Sequence, residues 1–234
     1  MSSTSPAPAA PVSGALTDGP LVTEGPGLLV MDVDSTLIEQ EVIELIAERA
    51  GTREQVAEVT ARAMRGELDF AASLRERVAA LAGLPVSVCA RVAERVTVTR
   101  GARELIGAVH RAGGRFGVVS GGFVEVVEPL ARSLGIDFHA ANRLEASDGV
   151  LTGRVVGRIV TAEVKTACLR RWAAQCSVPL SRTVAIGDGA NDIPMMREAG
   201  VGIAFCAKPA VRRLVAHQLN EPRLDALIAP LGLS

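Results

Sequence analysis

Three polar clusters in this chain each stand directly behind a short apolar run: Asp32-Val33-Asp34-Ser35-Thr36, Ser120-Gly121-Gly122 and Gly187-Asp188-Gly189-Ala190-Asn191-Asp192. Two carboxylates spaced i, i+2 on a turn leaving a strand can both face a ligand. Further carboxylates from another strand end would complete an all-oxygen site for a hard cation, and Mg²⁺ fits that best. With a cation damping its charge, one aspartate can attack phosphorus to form an aspartyl-phosphate, while the other donates and then removes a proton. Backbone amides of Asp34-Ser35-Thr36 and of Gly121-Gly122 suit phosphate oxygens, because small residues let the backbone come close. Only two of the 25 basic residues are lysines, Lys165 and Lys208. Lys165 lies at the start of a helix ahead of the third cluster, where a compact ammonium suits a phosphate or a carboxylate nucleophile. Lys208, beside Pro209, reads as a loop charge. Each cluster also has a plainer reading as a turn or helix cap, and the functional reading rests on their occurring together.

The elements that must position these residues follow from periodicity. Leu28 to Met31 reads as a buried strand. From Glu41 to about Leu81 the apolar spacing is helical, with Gly51 as one stop and Gly83 and Pro85 as the next. A further helix covers Ser87 to Arg95. From Gly101 strand and helix alternate: helix Arg103 to Arg111, strand Arg115 to Ser120, helix Phe123 to Leu134, and a less regular stretch to Gly157 with a hairpin signal at Asp148-Gly149. Helix Ala162 to Cys176, strand Thr183 to Asp188, helix Asp192 to Ala199 and strand Val201 to Phe205 follow. This alternation predicts an α/β fold, a Rossmann-like parallel sheet with helices on both faces, whose ligands sit where strands end in loops. The helical block after the first strand is then an inserted small cap domain. The expected division is a disordered tail over 1–26, a catalytic core over 27–38 and 100–234, and a helical cap over 39–99.

Composition narrows the classes. The chain has 234 residues with 25 Lys+Arg against 26 Asp+Glu, a balance that argues against nucleic acid or an anionic membrane as the main partner. With 48% hydrophobic residues it can bury a sizeable core. No apolar run approaches a membrane span. The first 26 residues carry five of the twelve prolines and lack both a basic start and an apolar centre, so no export signal is read and the cytoplasm is the expected compartment. Cys89, Cys168, Cys176 and Cys206 show no metal or disulfide spacing. His110, His139 and His217 stand singly and are given no role.

The three clusters and Lys165 match, in order, the four motifs of the haloacid-dehalogenase-like phosphohydrolase superfamily. Glu41-Val42-Ile43, the run Ala63 to Phe70, Ser73 to Val78, Ala141-Asn142-Arg143-Leu144 and Gly202 to Pro209 further resemble the phosphoserine phosphatase family, over about Leu28 to Pro209. The resemblance implies Mg²⁺-dependent hydrolysis of O-phospho-L-serine through an aspartyl-phosphate, the last step of L-serine biosynthesis. It makes Asp32 the nucleophile and Asp34 the general acid and base. Mg²⁺ is held by the Asp32 carboxylate, the Asp34 carbonyl and the Asp188 carboxylate, with Asp192 in support. Ser120, Gly121, Lys165 and Asn191 contact the phosphoryl group, with Gly122 supporting. Glu41 meets the substrate amine, Arg77 its carboxylate, and Met64 and Phe70 line the pocket. An amino-acid phosphate does require one anion for its ammonium and a guanidinium for its carboxylate, and Phe70 and Arg77, seven apart, share a helix side.

The partner is thus expected to be a small-molecule substrate, the assembly a monomer or homodimer. Another small phosphomonoester, or a phospho-accepting sensing module, are the alternatives. The chain departs from the family in two ways. Only the proline-rich tail stands where some relatives carry a regulatory domain. Arg100, before Gly101, replaces an expected proline or acidic residue, which bears on the stiffness of the return from cap to core.

Overall fold

The computed structural model describes residues 20–64 and 67–234. Most of the tail expected over 1–26 falls outside the described residues, but its last part is not a tail: Pro20–Glu24 forms a short helix, α1, whose Leu21 is buried. The apolar Leu21 has a core to reach, and Gly25 at φ 71 lets the chain turn back into the first strand.

That strand, β1 (Leu28–Met31), is buried along its whole length. Leu29 and Met31 join one hydrophobic cluster and Leu28 and Val30 another, as period-two alternation in a sheet covered on both faces requires. After a tight turn at Val33–Leu37 the chain is helical: α2 (Val42–Ala50), α3 (Arg53–Met64), α4 (Phe70–Ala79) and α5 (Ser87–Ala93). Gly51 ends α2 in the left-handed conformation. Asp69 starts α4 by accepting a hydrogen bond from Ala72 N at 2.7 Å. The helical stretch read from Glu41 to Leu81, with its stop at Gly51, is therefore three helices.

The alternating part comprises α6 (Ala102–Arg111), β2 (Arg115–Phe123), α7 (Val124–Leu134), β3 (Phe138–Ser147), β4 (Val150–Val156), α8 (Ala162–Gln175), β5 (Thr183–Gly187), α9 (Ile193–Glu198), β6 (Val201–Phe205), α10 (Pro209–Arg212) and β7 (His217–Leu219). The sheet order is β4-β3-β2-β1-β5-β6-β7, parallel except for the antiparallel β3–β4 pair. Thus β2, β1 and β5, the strands feeding the three polar clusters, are neighbours at the sheet centre. Helices α6 and α7 pack with the helical block on one face, α8 and α9 on the other. Among the described residues no helix is long and apolar enough to cross a membrane.

Two linkers tie the helical block to the sheet. They run side by side through an Ile38–Val98 bridge, Glu39 N donating to Thr97 O at 3.0 Å and Thr99 N to Leu37 O at 2.9 Å. Gln40 adds two bonds to Thr97. The return at Arg100 is fixed without a proline: its carbonyl accepts from Leu224 N at 2.7 Å. Gly101 follows at φ 79, and a Cβ there would lie 2.3 Å from Asp225 N. Gly101→Ala should therefore destabilise the fold by about 2 kcal/mol or more, left-handed strain alone accounting for roughly 1–3 kcal/mol. Thermal unfolding should show a Tm lower by about 4–8 °C, and an unchanged Tm would mean that the C-terminal segment does not clamp this return.

Candidate functional site

The strand that ends at Met31 delivers Asp32, whose backbone N–H still bonds to Ile186 O at 2.9 Å and so holds it in the sheet. The following turn is not regular: Asp34 is extended (φ −64, ψ 133) and Ser35 is left-handed (φ 57, ψ 9). This break separates the aspartates. The Asp32 carboxylate accepts from Lys165 Nζ at 2.6 Å, whereas Asp34 accepts from Val42 N at 2.9 Å and Ser120 Oγ at 3.1 Å. Asp34 therefore joins this turn to the first turn of α2. Ser35 makes a second tie there, its hydroxyl donating to Glu41 Oε1 at 2.7 Å.

Lys165 comes from the first turn and a half of α8 and has no exposed side-chain surface. Its ammonium bridges Asp32 and Asp192, each at 2.6 Å. Burial alone would lower its pKa, but the two carboxylates outweigh burial and hold it above the ordinary lysine range. Asp192 is equally buried and spends its second oxygen on Gly189 N at 3.0 Å. Asp188, at the end of β5, accepts from Thr36 Oγ1 at 3.3 Å. Burial, then Asp192 and Glu41, push its pKa up to about 6; burial and Glu41 do the same to Asp34.

Asp32, Asp188 and Asp192 each offer a carboxylate oxygen, and these lie within 4.8 Å of one another. An all-oxygen donor set of this size fits a hard divalent cation. Both Asp192 oxygens already accept hydrogen bonds, from Lys165 and Gly189, whereas Asp32 and Asp188 each have an oxygen that could ligate such an ion.

The second cluster closes the site from β2. Ser120 is fully buried and its Oγ also accepts from Gly122 N at 2.8 Å. Both glycines are closely covered by side-chain ends: a Cβ on Gly121 would lie 2.9 Å from Phe70 Cζ, and one on Gly122 2.7 Å from Asp34 Oδ2, so either would displace that side chain. The Phe70 ring thus lies over Gly121 and brings α4 against the strand ends.

A cavity of about 190 Å³ results, lined by Asp32, Asp34, Asp188 and Asn191 below and by Glu41, Phe70 and Arg77 above, with Gly121, Gly122 and Gly189 between. The expected site residues converge on it, with three qualifications. Ser120 and Lys165 stand behind its wall and reach it through Asp34 and Asp32. Asp192 does the same through Lys165. The Met64 side chain lies outside what is described. Arg77 donates through Nε to Ser73 O at 3.3 Å; burial lowers its pKa while Glu41, Asp34 and Glu44 oppose that. Lys208 lines a wider neighbouring groove with Thr161, Glu163 and Asn191.

Several residues here were not singled out from sequence. Ile43 and Leu74 add an apolar wall. Thr36 holds Asp188. Asn142, buried on β3, donates to Gly121 O and accepts from Val160 N, each at 2.8 Å, and so ties the glycine loop to the segment entering α8. The Ala141-Asn142-Arg143-Leu144 run was the available signal for Asn142. For Thr36 there was only its place beside the aspartates.

The model of the haloacid dehalogenase-like hydrolase family matches residues 29–197. A phosphoserine phosphatase of Streptococcus thermophilus is 55% identical over 207 residues, covering 88% of this chain and 96% of that protein. Phosphoserine phosphatase SerB2 of Mycobacterium tuberculosis is 53% identical over 95% of this chain, which spans 54% of its length. A solved substrate-bound phosphoserine phosphatase complex superposes with TM-score 0.82 at 40% identity, covering 87% of this chain and 97% of that one. The chain belongs to the haloacid dehalogenase-like hydrolase family, and within it to the phosphoserine phosphatases.

Proposed function

We propose that this enzyme hydrolyses O-phospho-L-serine to L-serine and inorganic phosphate, with Mg²⁺, in the cytoplasm, as the last step of L-serine biosynthesis. The observation that carries the reading is the cavity itself: a carboxylate pair on one strand end faces, across about 190 Å³, a carboxylate and a guanidinium on the helices above. Asp32 is the nucleophile. Its carboxylate attacks phosphorus, the P–O bond to serine breaks, and an aspartyl-phosphate forms. Lys165 fixes the attacking carboxylate through the 2.6 Å contact and offsets negative charge gathered there. Asp34 gives the leaving serine oxygen its proton, then takes one from the water that cleaves the aspartyl-phosphate. A carboxyl raised to about 6 can be found in both protonation states near neutrality, as those two steps require. Gly121 and Gly122 leave room for phosphoryl oxygens, and Asn191 lines the same wall. Mg²⁺, held by the Asp32 and Asp188 carboxylates and the Asp34 carbonyl, supplies positive charge that offsets the phosphate dianion.

Above this centre, Glu41 takes the substrate ammonium and Arg77 its carboxylate. Both come from the helical block, so amino-acid recognition is separate from phosphoryl chemistry. Arg77→Ala should lower kcat/KM for O-phospho-L-serine roughly 10–200-fold, the loss of charge-assisted hydrogen bonds. Turnover of para-nitrophenyl phosphate, which has no carboxylate, should change less than about threefold. Steady-state phosphate release with both substrates checks this. Equal losses on both would discard the serine pocket and leave a phosphatase for another small phosphomonoester.

A further inference from the structure

The reaction as derived leaves one buried hydroxyl of the catalytic turn without a task. Thr36 has no exposed surface and follows Asp34 by two residues. Its Oγ1 donates to Asp188 Oδ1 at 3.3 Å across 152 residues of sequence, from the turn that follows β1 to the end of the adjacent parallel β5. Its own carbonyl is held by the buried Thr99 hydroxyl at 2.7 Å, and Thr99 N bonds to Leu37 O. The hydroxyl is thus anchored by the returning linker, and its position does not depend on the carboxylate it touches.

The four site aspartates are held differently. Asp32 has Lys165, Asp192 has Lys165 and the Gly189 amide, and Asp34 has the Val42 amide and Ser120. Among the described residues, Thr36 is the side chain that donates to Asp188. Asp188 meanwhile faces the negative charge of Asp192 and Glu41, which Lys165 and a hydrogen bond from its own backbone only partly offset. An unheld carboxylate in such surroundings would rotate away from its neighbours or turn both oxygens to one cation. A neutral donor 3.3 Å from Oδ1 opposes both movements.

We propose that the Thr36 hydroxyl is a positioning group for the metal: by bonding Asp188 Oδ1 it presets this carboxylate for Mg²⁺, so that the Thr36 side chain sets cation affinity while taking no part in proton or phosphoryl transfer. The inference rests on the proposed Mg²⁺ dependence. Partners of this kind change metal affinity by about 10–100-fold when removed.

The test uses the whole chain stripped of metal. Mg²⁺ binding is measured by titration calorimetry, and phosphate release from O-phospho-L-serine is measured over a Mg²⁺ series. Thr36→Val keeps the shape and removes the hydroxyl. It should weaken Mg²⁺ binding about 10–100-fold and raise half-saturating Mg²⁺ in parallel, with kcat at saturating Mg²⁺ within about threefold of the parent. Thr36→Ser and Thr36→Ala both lose the γ-methyl but differ in the hydroxyl, so they decide the matter even where Thr36→Val folds poorly. Thr36→Ser should bind Mg²⁺ like the parent and Thr36→Ala like Thr36→Val. Parental affinity in the folded Val or Ala variant, or equal loss in Ser and Ala, overturns the proposal and reduces Thr36 to packing. A parent protein that is active yet binds no Mg²⁺ overturns the metal reading itself, a result told apart from the first by the parent alone.

Discussion

Asp32→Asn should abolish turnover of O-phospho-L-serine, lowering kcat by at least about 10⁴-fold, the scale on which an enzyme loses rate when its nucleophile is removed. The substitution is nearly isosteric, and the amide oxygen can still accept from Lys165, whose ammonium keeps its 2.6 Å contact with Asp192. The fold should therefore persist, and near-parental thermal unfolding is the control. What is lost is a carboxylate able to form an acyl phosphate. The same variant should show a second change: acid-quenched enzyme given ³²P-labelled substrate should carry hydroxylamine-sensitive label in the parent and none in Asp32→Asn. Phosphate release within tenfold of the parent would defeat the nucleophile assignment. Loss of turnover with label retained would move the nucleophile to another residue, and Asp34 and Asp188 are the cavity-lining carboxylates to test next.

How far the sequence carried depended on the range of the signal. The convergence of three polar clusters was readable because each followed a short apolar run, and parallel strands joined by helices place such ends on one edge; β2, β1 and β5 are indeed adjacent. Phe70 and Arg77 could be placed on one helix side by spacing alone, and both line the cavity from α4. Other features left little trace. Strand β3 alternates poorly because much of its length is exposed or half-exposed, as in Glu145, Ala146 and Ser147, so only the Asp148-Gly149 turn marked the hairpin; both turn residues have positive φ. Strand β7, with three residues, is too short for any period. The left-handed Ser35 could not be foreseen at all: serine has no preference for that conformation, and it is imposed by Asp34 and Ser35 bonding to the start of α2. Thr36 and Asn142 matter through one and two side-chain hydrogen bonds to residues distant in sequence, which no local pattern encodes.

Lys165→Met should be costly to the fold as well as to the reaction. In the parent the ammonium is enclosed, with no exposed surface, between a carboxylate that is 9% exposed and one that is not exposed at all. Methionine matches the length and apolar stem but leaves Asp32 and Asp192 as two buried anions sharing a site without a counterion. Removing one partner from a buried ion pair costs about 3–5 kcal/mol, because the remaining charge keeps its desolvation penalty and loses its compensation. For a chain of this size, that corresponds to a Tm lower by roughly 6–20 °C, which calorimetry reads directly. The effect has a signature that simple loss of packing lacks. Asp192→Asn added to Lys165→Met removes one of the stranded anions, so the double variant should be more stable than the sum of the single changes by about 1 kcal/mol or more. Arginine should not substitute, since a planar guanidinium does not replace a compact ammonium that presents one nitrogen to both carboxylates. Additive single and double variants would mean that the Lys165 contacts do not form the charge network seen here, and the electrostatic role proposed for Lys165 in holding the Asp32 carboxylate would fall with it.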